Sequence, residues 1–314
     1  MKIVYMGTPD FAVPALTALC DAGYEVSLVV TKADRPRDRG KKLQSCPVKL
    51  EALRRGLQVA SPEKLKGNEE FMALLHQAAP ALIVVAAYGK ILPPEILDLP
   101  RLGCVNIHGS LLPAYRGAAP IHRAVANGCC ETGVTLMYMA PEMDAGDIIA
   151  TACTAVDHKT TGELHEELAR LGADLLIRTL PAILDGTAPR MPQDPAAVTY
   201  APMVSKEDAR IDFTRSAEEI CALVRGMHSW PCAWTCMGGQ AMKVHEALPG
   251  PFSSDAEPGT ILRADRDGIA VSCGGGSVIL KRIQMPGKKP LDAGVYLLGN
   301  KIEIGTVLRY NNCQ

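Results

Sequence analysis

At 314 residues the chain has room for about two domains of ordinary size, and 47% hydrophobic with 21% charged residues excludes a disordered or fibrous protein. Aromatics contribute only 4%, which leaves the core to Leu, Val, Ile and Ala. The formal net charge of −1 excludes a whole-surface electrostatic footprint for nucleic acid, so any RNA contact has to come from a local patch.

From the N-terminus, Ile3–Met6 reads as a strand and Phe11–Ala22 as an amphipathic helix stopped by Gly23. Strand Glu25–Val30, helix Pro47–Arg55, helix Phe71–Ala79 and the continuous apolar strand Ala81–Ala87 follow. Next come strand Val105–His108, helix Pro120–Asn127, strands Gly133–Met139 and Ile148–Val156, and the long helix Thr161–Asp185. Apolar strands alternating with helices predict an α/β fold: a Rossmann-like, mostly parallel sheet covered by helices on both faces. Such sheets hold ligands beyond the carboxyl ends of their strands, where the strand order reverses.

After Gly186 the pattern changes. Thr187–Pro202 carries Pro189, Pro192, Pro195 and Pro202 without periodicity and reads as a semi-rigid connector. A helix at Ser216–Met227 precedes short strands at Ala233–Met237, Ala241–Ala247, Gly259–Ala264, Ile269–Ser272 and Ser277–Met285, separated by Gly, Pro and Asp turns. That spacing predicts a smaller C-terminal β-barrel of the oligonucleotide-binding (OB-like) kind. The expected division is a domain over 1–187, a linker over 188–205 and the C-terminal domain over 206–314.

The first residues, Met1 to Met6, run straight into a strand without the apolar core of a signal peptide or an Arg/Ser-rich transit segment. No apolar run approaches the ~20 residues of a membrane span. The expected location is therefore cytoplasmic, without membrane contact. The eleven cysteines are odd in number and irregularly spaced, and signal neither a zinc framework nor a disulfide scaffold. They are expected to be free thiols in a reducing compartment. No metal is expected, and no obligate protein partner is evident.

Three stretches bear on chemistry. Gly7-Thr8-Pro9-Asp10-Phe11 lies between a strand and a helix, where a dinucleotide fingerprint would stand. Pro9 replaces the second glycine and removes a backbone N–H that a pyrophosphate needs, which disfavours a nicotinamide enzyme. Asn106-Ile107-His108-Gly109-Ser110-Leu111-Leu112-Pro113-Ala114-Tyr115-Arg116-Gly117 is more informative. Asn106 and His108 are two apart at the end of a strand, so both side chains point to one side, an amide beside an imidazole. Gly109, Pro113 and Gly117 shape the loop that follows. Met143-Asp144-Ala145-Gly146-Asp147 offers a carboxylate between two later strands, although alone it reads as a simple turn.

Asn-x-His-x-Ser-Leu-Leu-Pro-x-x-Arg-Gly, followed some thirty-five residues later by Asp144, resembles the signature of the folate-dependent formyltransferases. Over nearly the full length the chain is similar to the branch of that superfamily that formylates methionyl-tRNA. Gly7-Thr8-Pro9-Asp10-Phe11-Ala12, Asp34-Arg35-Pro36, Arg39-Gly40-Lys41-Lys42 and Ala87-Tyr88-Gly89 support that likeness, as does Ser205-Lys206-Glu207-Asp208-Ala209-Arg210-Ile211-Asp212. Phe213 stands where Trp is the commoner residue, and His158 and His165 match no catalytic position. The resemblance implies Asn106, His108 and Asp144 as catalytic residues, with Ser110, Leu111, Leu112 and Pro113 bordering the folate. It implies 10-formyltetrahydrofolate as a cosubstrate consumed each turn and initiator methionyl-tRNA as the partner that accepts the formyl group.

The stretch Lys32–Lys42 holds Lys32, Arg35, Arg37, Arg39, Lys41 and Lys42 against only Asp34 and Asp38. Pro36 and Gly40 make it a loop, longer than the usual strand–helix connection of about two to six residues. Arg39, Lys41 and Lys42 are the expected contacts to tRNA phosphates. The near-neutral C-terminal half is expected to touch RNA along its backbone, with Lys281-Arg282 and Lys288-Lys289 as a strip on one face. Two alternatives remain at this point: a formyltransferase of the same superfamily acting on a small amine such as an amino-sugar nucleotide, and a non-catalytic RNA-binding protein.

Overall fold

The computed structural model describes residues 1–37, 42–253 and 255–309. The chain forms two compact units, one of Met1–Pro120, Glu131–Ala155 and His165–Pro202, the other of Ile121–Cys130, Val156–Leu164 and Met203–Gln314.

The first unit begins with β1 (Ile3–Gly7), α1 (Val13–Asp21) and β2 (Val26–Val30). The basic stretch, read from sequence as a loop, contains the short strand β3 (Arg35–Arg37) and runs into β4 (Lys42–Gln44), the two paired antiparallel. Beyond its base the Lys49 ammonium meets the Asp34 carboxylate at 2.7 Å. The chain continues through α2 (Pro47–Arg54), β5 (Val59–Ala60), α3 (Glu69–Ala78), β6 (Leu82–Ala86), α4 (Pro94–Leu97) and β7 (Cys104–His108). After α5 (Pro120–Ala126), which belongs to the second unit apart from Pro120, β8 (Glu131–Tyr138), β9 (Ile148–Ala155) and α6 (Thr161–Leu184) complete the series. The two-residue β5 and four-residue α4 are too short to leave a period in the sequence.

The sheet order is β5-β2-β1-β6-β7-β8-β9. Its first five strands are parallel, and β8 and β9 are antiparallel to their neighbours. The expected mostly parallel sheet is therefore present, with chain order reversing between β1 and β6. All five residues of β1 and of β6 are buried, because both sheet faces are covered. On one face Val4, Met6, Leu28, Val30, Ile83 and Val85 pack with Phe71, Leu75 and Ile96 of α3 and α4. Each such fully buried side chain stabilises the fold by roughly 1.5–3 kcal/mol. On the other, α6 comes so close that a Cβ at Gly172 would lie 2.7 Å from the Ile107 side chain.

In the second unit α7 (Ala217–Gly226) starts at a capping box, Ser216 accepting from the Glu219 N–H while the Glu219 carboxylate accepts from the Ser216 N–H. Its apolar face (Ile220, Cys221, Val224) is buried. The strands β10 (Ala233–Met237), β11 (Gln240–Pro249), β12 (Ile261–Asp265), β13 (Gly268–Cys273) and β14 (Gly276–Gln284) form an antiparallel sheet in the order β10-β11-β14-β13-β12. Short β15 (Leu291–Asp292) pairs with β14 and leads into α8 (Ala293–Leu297). The expected smaller C-terminal β domain is thus an antiparallel sheet with α7 packed on β11 and β14.

Candidate active site

β7 is the last strand of the parallel set, and its far side pairs with the reversed β8, His108 lying opposite Thr135 and Asn106 opposite Met137. His108 is buried, whereas Asn106 is half-buried and its amide has no hydrogen-bond partner among the described residues. After His108 the chain turns sharply. The Ser110 hydroxyl donates to the Ala114 carbonyl at 2.6 Å, Thr135 Oγ1 donates to the Ser110 carbonyl at 2.7 Å, and the Leu112 N–H donates to Thr135 Oγ1 at 3.0 Å. Ser110 and Leu112 are buried, while Leu111 and Pro113 are half-buried. Leu111 lies over Gly133, where a Cβ would come within 2.6 Å of it.

The loop brings the Tyr115 carbonyl 3.0 Å from His108 Nε2. A carbonyl only accepts, so Nε2 carries a proton in this arrangement. Across the ring, Nδ1 lies 3.6 Å from Asp144 Oδ2. That distance exceeds a hydrogen bond, so the coupling is electrostatic as it stands. The same carboxylate oxygen accepts from the Gly117 N–H at 2.8 Å. Asp144, remote in sequence, therefore joins the loop after β7 to the imidazole.

Asp144 sits in the left-handed region at φ +52°, in the connection between β8 and β9. Gly146 two residues on is required by space, since a Cβ there would lie 1.9 Å from the Tyr138 carbonyl oxygen. The segment 190–201, which sequence reading treats only as connector, is stitched along this site. Met191 exchanges backbone hydrogen bonds with Ile148, and the Arg190 guanidinium lies 3.6 Å above the Tyr138 ring. The Thr199 hydroxyl accepts from the Tyr115 N–H at 2.8 Å, and the Arg116 N–H and carbonyl bond the Thr199 carbonyl and the Ala201 N–H. The Gln193 amide donates to the Asp144 and Gly146 carbonyls, both at 2.8 Å. Its oxygen accepts from Nε and Nη2 of the buried Arg116 at 3.1 and 2.8 Å. Gln193 gave no signal in the sequence, and Arg116 stood there as a member of the signature motif without a role of its own.

Arg39 and Lys41 lie outside the described residues, and for Lys42 only the backbone of β4 is described. Among the described residues no group of three His, Cys, Asp or Glu side chains is placed to hold a metal ion, and no helix is long and apolar enough to cross a membrane.

Residues 1–180 match the formyl transferase family model, and residues 203–301 match the model of the formyl transferase C-terminal domain. The chain belongs to the formyl transferase family. Among curated formyl transferases it is 48% identical to the methionyl-tRNA formyltransferase of Moorella thermoacetica, over 98% of this chain and 99% of that one. It is 46% identical to the methionyl-tRNA formyltransferase of Acetivibrio thermocellus, again over 98% and 99%. The fold is shared with an N-formyltransferase from Helicobacter canadensis solved with folinic acid and dTDP-3-aminofucose (TM-score 0.67, 17% identity, covering 91% of this chain and 99% of that one). HypX from Aquifex aeolicus in complex with tetrahydrofolic acid shares it too (TM-score 0.64, 17% identity, covering 98% of this chain and 50% of that one). For a formyl transferase, the chemical question at this site is which groups meet the formyl oxygen and the moving proton.

Proposed function

We infer that this formyl transferase moves the formyl group of 10-formyltetrahydrofolate to the free amino group of initiator methionyl-tRNA, giving N-formylmethionyl-tRNA. The acceptor rests on near-full-length identity to enzymes of that name. The chemistry rests on one observation: the Asp144 carboxylate lies 3.6 Å from the His108 ring, with the half-buried Asn106 amide two residues before that ring on the same strand.

The amine attacks the formyl carbon, a C–N bond forms, and the formyl oxygen gains negative charge. Collapse of this tetrahedral centre breaks the bond to folate N10, which takes up the proton that the amine loses. A free α-amino group has pKa ≈ 7.7–8.0, so a useful fraction is already nucleophilic near neutrality. Stabilising the oxyanion and moving the proton are what remain. The Asn106 amide donates to the developing oxyanion, and the His108 Nε2–H does so on exchanging the Tyr115 carbonyl for it, each well-placed donor contributing about 3 kcal/mol. With Nε2–H facing the Tyr115 carbonyl, a second ring proton on Nδ1 would face the Asp144 carboxylate. His108 and Asp144 thereby form a place to hold the proton between amine and folate nitrogen.

In this reading residues 1–187 carry the chemistry, with Ser110, Leu111, Leu112 and Pro113 beside the folate. Residues 188–205 connect, with 190–201 bonded into the site, and 206–314 contact the RNA. Arg39, Lys41 and Lys42 meet tRNA phosphates. Folate is consumed as a cosubstrate and the reaction uses no metal; the protein works in the cytoplasm. The test supplies 10-formyltetrahydrofolate with initiator tRNA charged with methionine or with other amino acids. Formylation of the methionyl form, weakened steeply by salt, is expected. Equal turnover of a small amino-sugar nucleotide, without salt dependence, would overturn the acceptor.

A further inference from the structure

The Asp144 carboxylate reaches both Gly117 and His108 from a backbone held at φ +52°, a conformation that non-glycine residues adopt at a cost of about 1–3 kcal/mol unless their surroundings hold it. The group that holds it is the Gln193 amide. Both of its N–H donors are used, on the Asp144 and Gly146 carbonyls. Both acceptor positions of its oxygen are filled by the Arg116 guanidinium. A fully used amide has one orientation only. It fixes the two carbonyls of the turn from outside and ties them to Arg116, whose backbone neighbour Gly117 donates its N–H to the Asp144 carboxylate. A closed loop of contacts results, Gln193–Asp144–Gly117–Arg116–Gln193, with the His108 ring beside its single carboxylate.

We propose that Gln193 is a positioning residue for formyl transfer, acting through Asp144 to set the carboxylate against the His108 imidazole. The proposal rests on the assignment of His108 and Asp144 to the chemistry. The Gln193 bonds go to Arg116 and to the main chain of the turn, so it acts through Asp144.

Two substitutions separate its halves. Gln193→Glu keeps an oxygen for Arg116 but turns the two donors into acceptors facing carbonyls, while Gln193→Met keeps the volume and loses all four bonds. Both are expected to lower kcat for formylation of methionyl-tRNA by about 10- to 100-fold, the effect of moving a catalytic group by about an ångström. KM for the folate and for the tRNA should stay within about twofold, because substrate-binding groups are untouched. In an Asp144→Ala background, followed by single-turnover formylation, Gln193→Met should cost nothing further.

A readout independent of turnover is the ring nitrogen spectrum of His108 in 15N-histidine-labelled protein, assigned by its loss in His108→Ala. It should shift in both Gln193 variants. A lowered melting temperature with kcat and the His108 signal unchanged would assign Gln193 to stability alone and overturn the proposal. An additive loss in the Asp144→Ala background would also overturn it. If the wild-type protein fails to formylate methionyl-tRNA, the functional reading falls. The His108 spectrum then still decides whether Gln193 sets the pair, a shift supporting the proposal and an unchanged spectrum overturning it.

Discussion

Gly117→Ala puts a single methyl group at a point of the site where backbone angle and space are both constrained. Gly117 has φ +120°, a region L side chains avoid, and its added Cβ would stand 2.8 Å from the Ala201 carbonyl oxygen and 3.3 Å from the carbon behind it. Both are backbone atoms, so relief requires the loop to move away from the 199–201 segment. The backbone strain alone is of order 1–3 kcal/mol. The movement also lengthens the 2.8 Å bond from the Gly117 N–H to the Asp144 carboxylate, a charge-assisted bond contributing about 1.5–3 kcal/mol. Together these give a destabilisation of roughly 3–5 kcal/mol. At a slope of about 2–3 kcal/mol per molar urea, the unfolding midpoint falls by roughly 1–2.5 M. Circular dichroism is the suitable probe, because both tryptophans, Trp230 and Trp234, lie in the second unit. The kcat measured in native buffer should fall at least tenfold, since Asp144 loses one of its anchors. A variant with the wild-type midpoint and wild-type kcat refutes the argument that this close approach orders the site.

Asn106→Ala and His108→Ala each remove a donor to the oxyanion and should lower kcat by about 10²–10³-fold; tRNA binding, measured by filter retention, should persist, and undiminished turnover in either variant removes that residue from the chemistry. Lys41→Ala with Lys42→Ala should raise KM for tRNA and flatten its dependence on salt, with KM for the folate unchanged; a change confined to the folate places this stretch elsewhere. Glu51, whose carboxyl is held down at about 2 by hydrogen bonds from Arg54 and Arg55, gives a prediction in acid. A folded-state value below the ordinary 4.5 means stabilisation that is complete above that pH and lost as pH falls toward 2. Glu51→Gln should therefore lower the melting temperature at neutral pH and flatten its decline between those limits; identical melting curves at every pH would remove this cluster from the stability of the first unit.

Much of the fold was legible because long elements leave a period. β1, β6 and α6 were placed to within a few residues, and even the capped start of α7 was visible at Ser216. What escaped was short or nonperiodic: the two-residue β5 and β15, and α8. The strands β3 and β4 escaped because Pro36 and the run of charges read as loop. The reversal of strand order falls between β1 and β6, whereas His108 ends β7, one strand further on. At the site, Asn106 and His108 could be related through strand geometry, but a turn such as Asp144 is indistinguishable from any other Asp-Gly turn until the fold folds it back. Gln193 gave no signal at all. It lies in a proline-rich stretch without pattern, and its meaning depends on Arg116 and Asp144, far away in the chain and present only after folding.

The strap formed by residues 190–201 has a consequence for dissection of the molecule. A fragment ending at Gly186 would still contain every strand of the larger sheet together with Asn106, His108 and Asp144. It would lack the Gln193 oxygen that accepts from the Arg116 side chain, the clasp over the Asp144 turn and the backbone lining opposite Gly117. The smallest piece that keeps the chemical centre in its native shape therefore extends to Pro202, where the first compact unit ends.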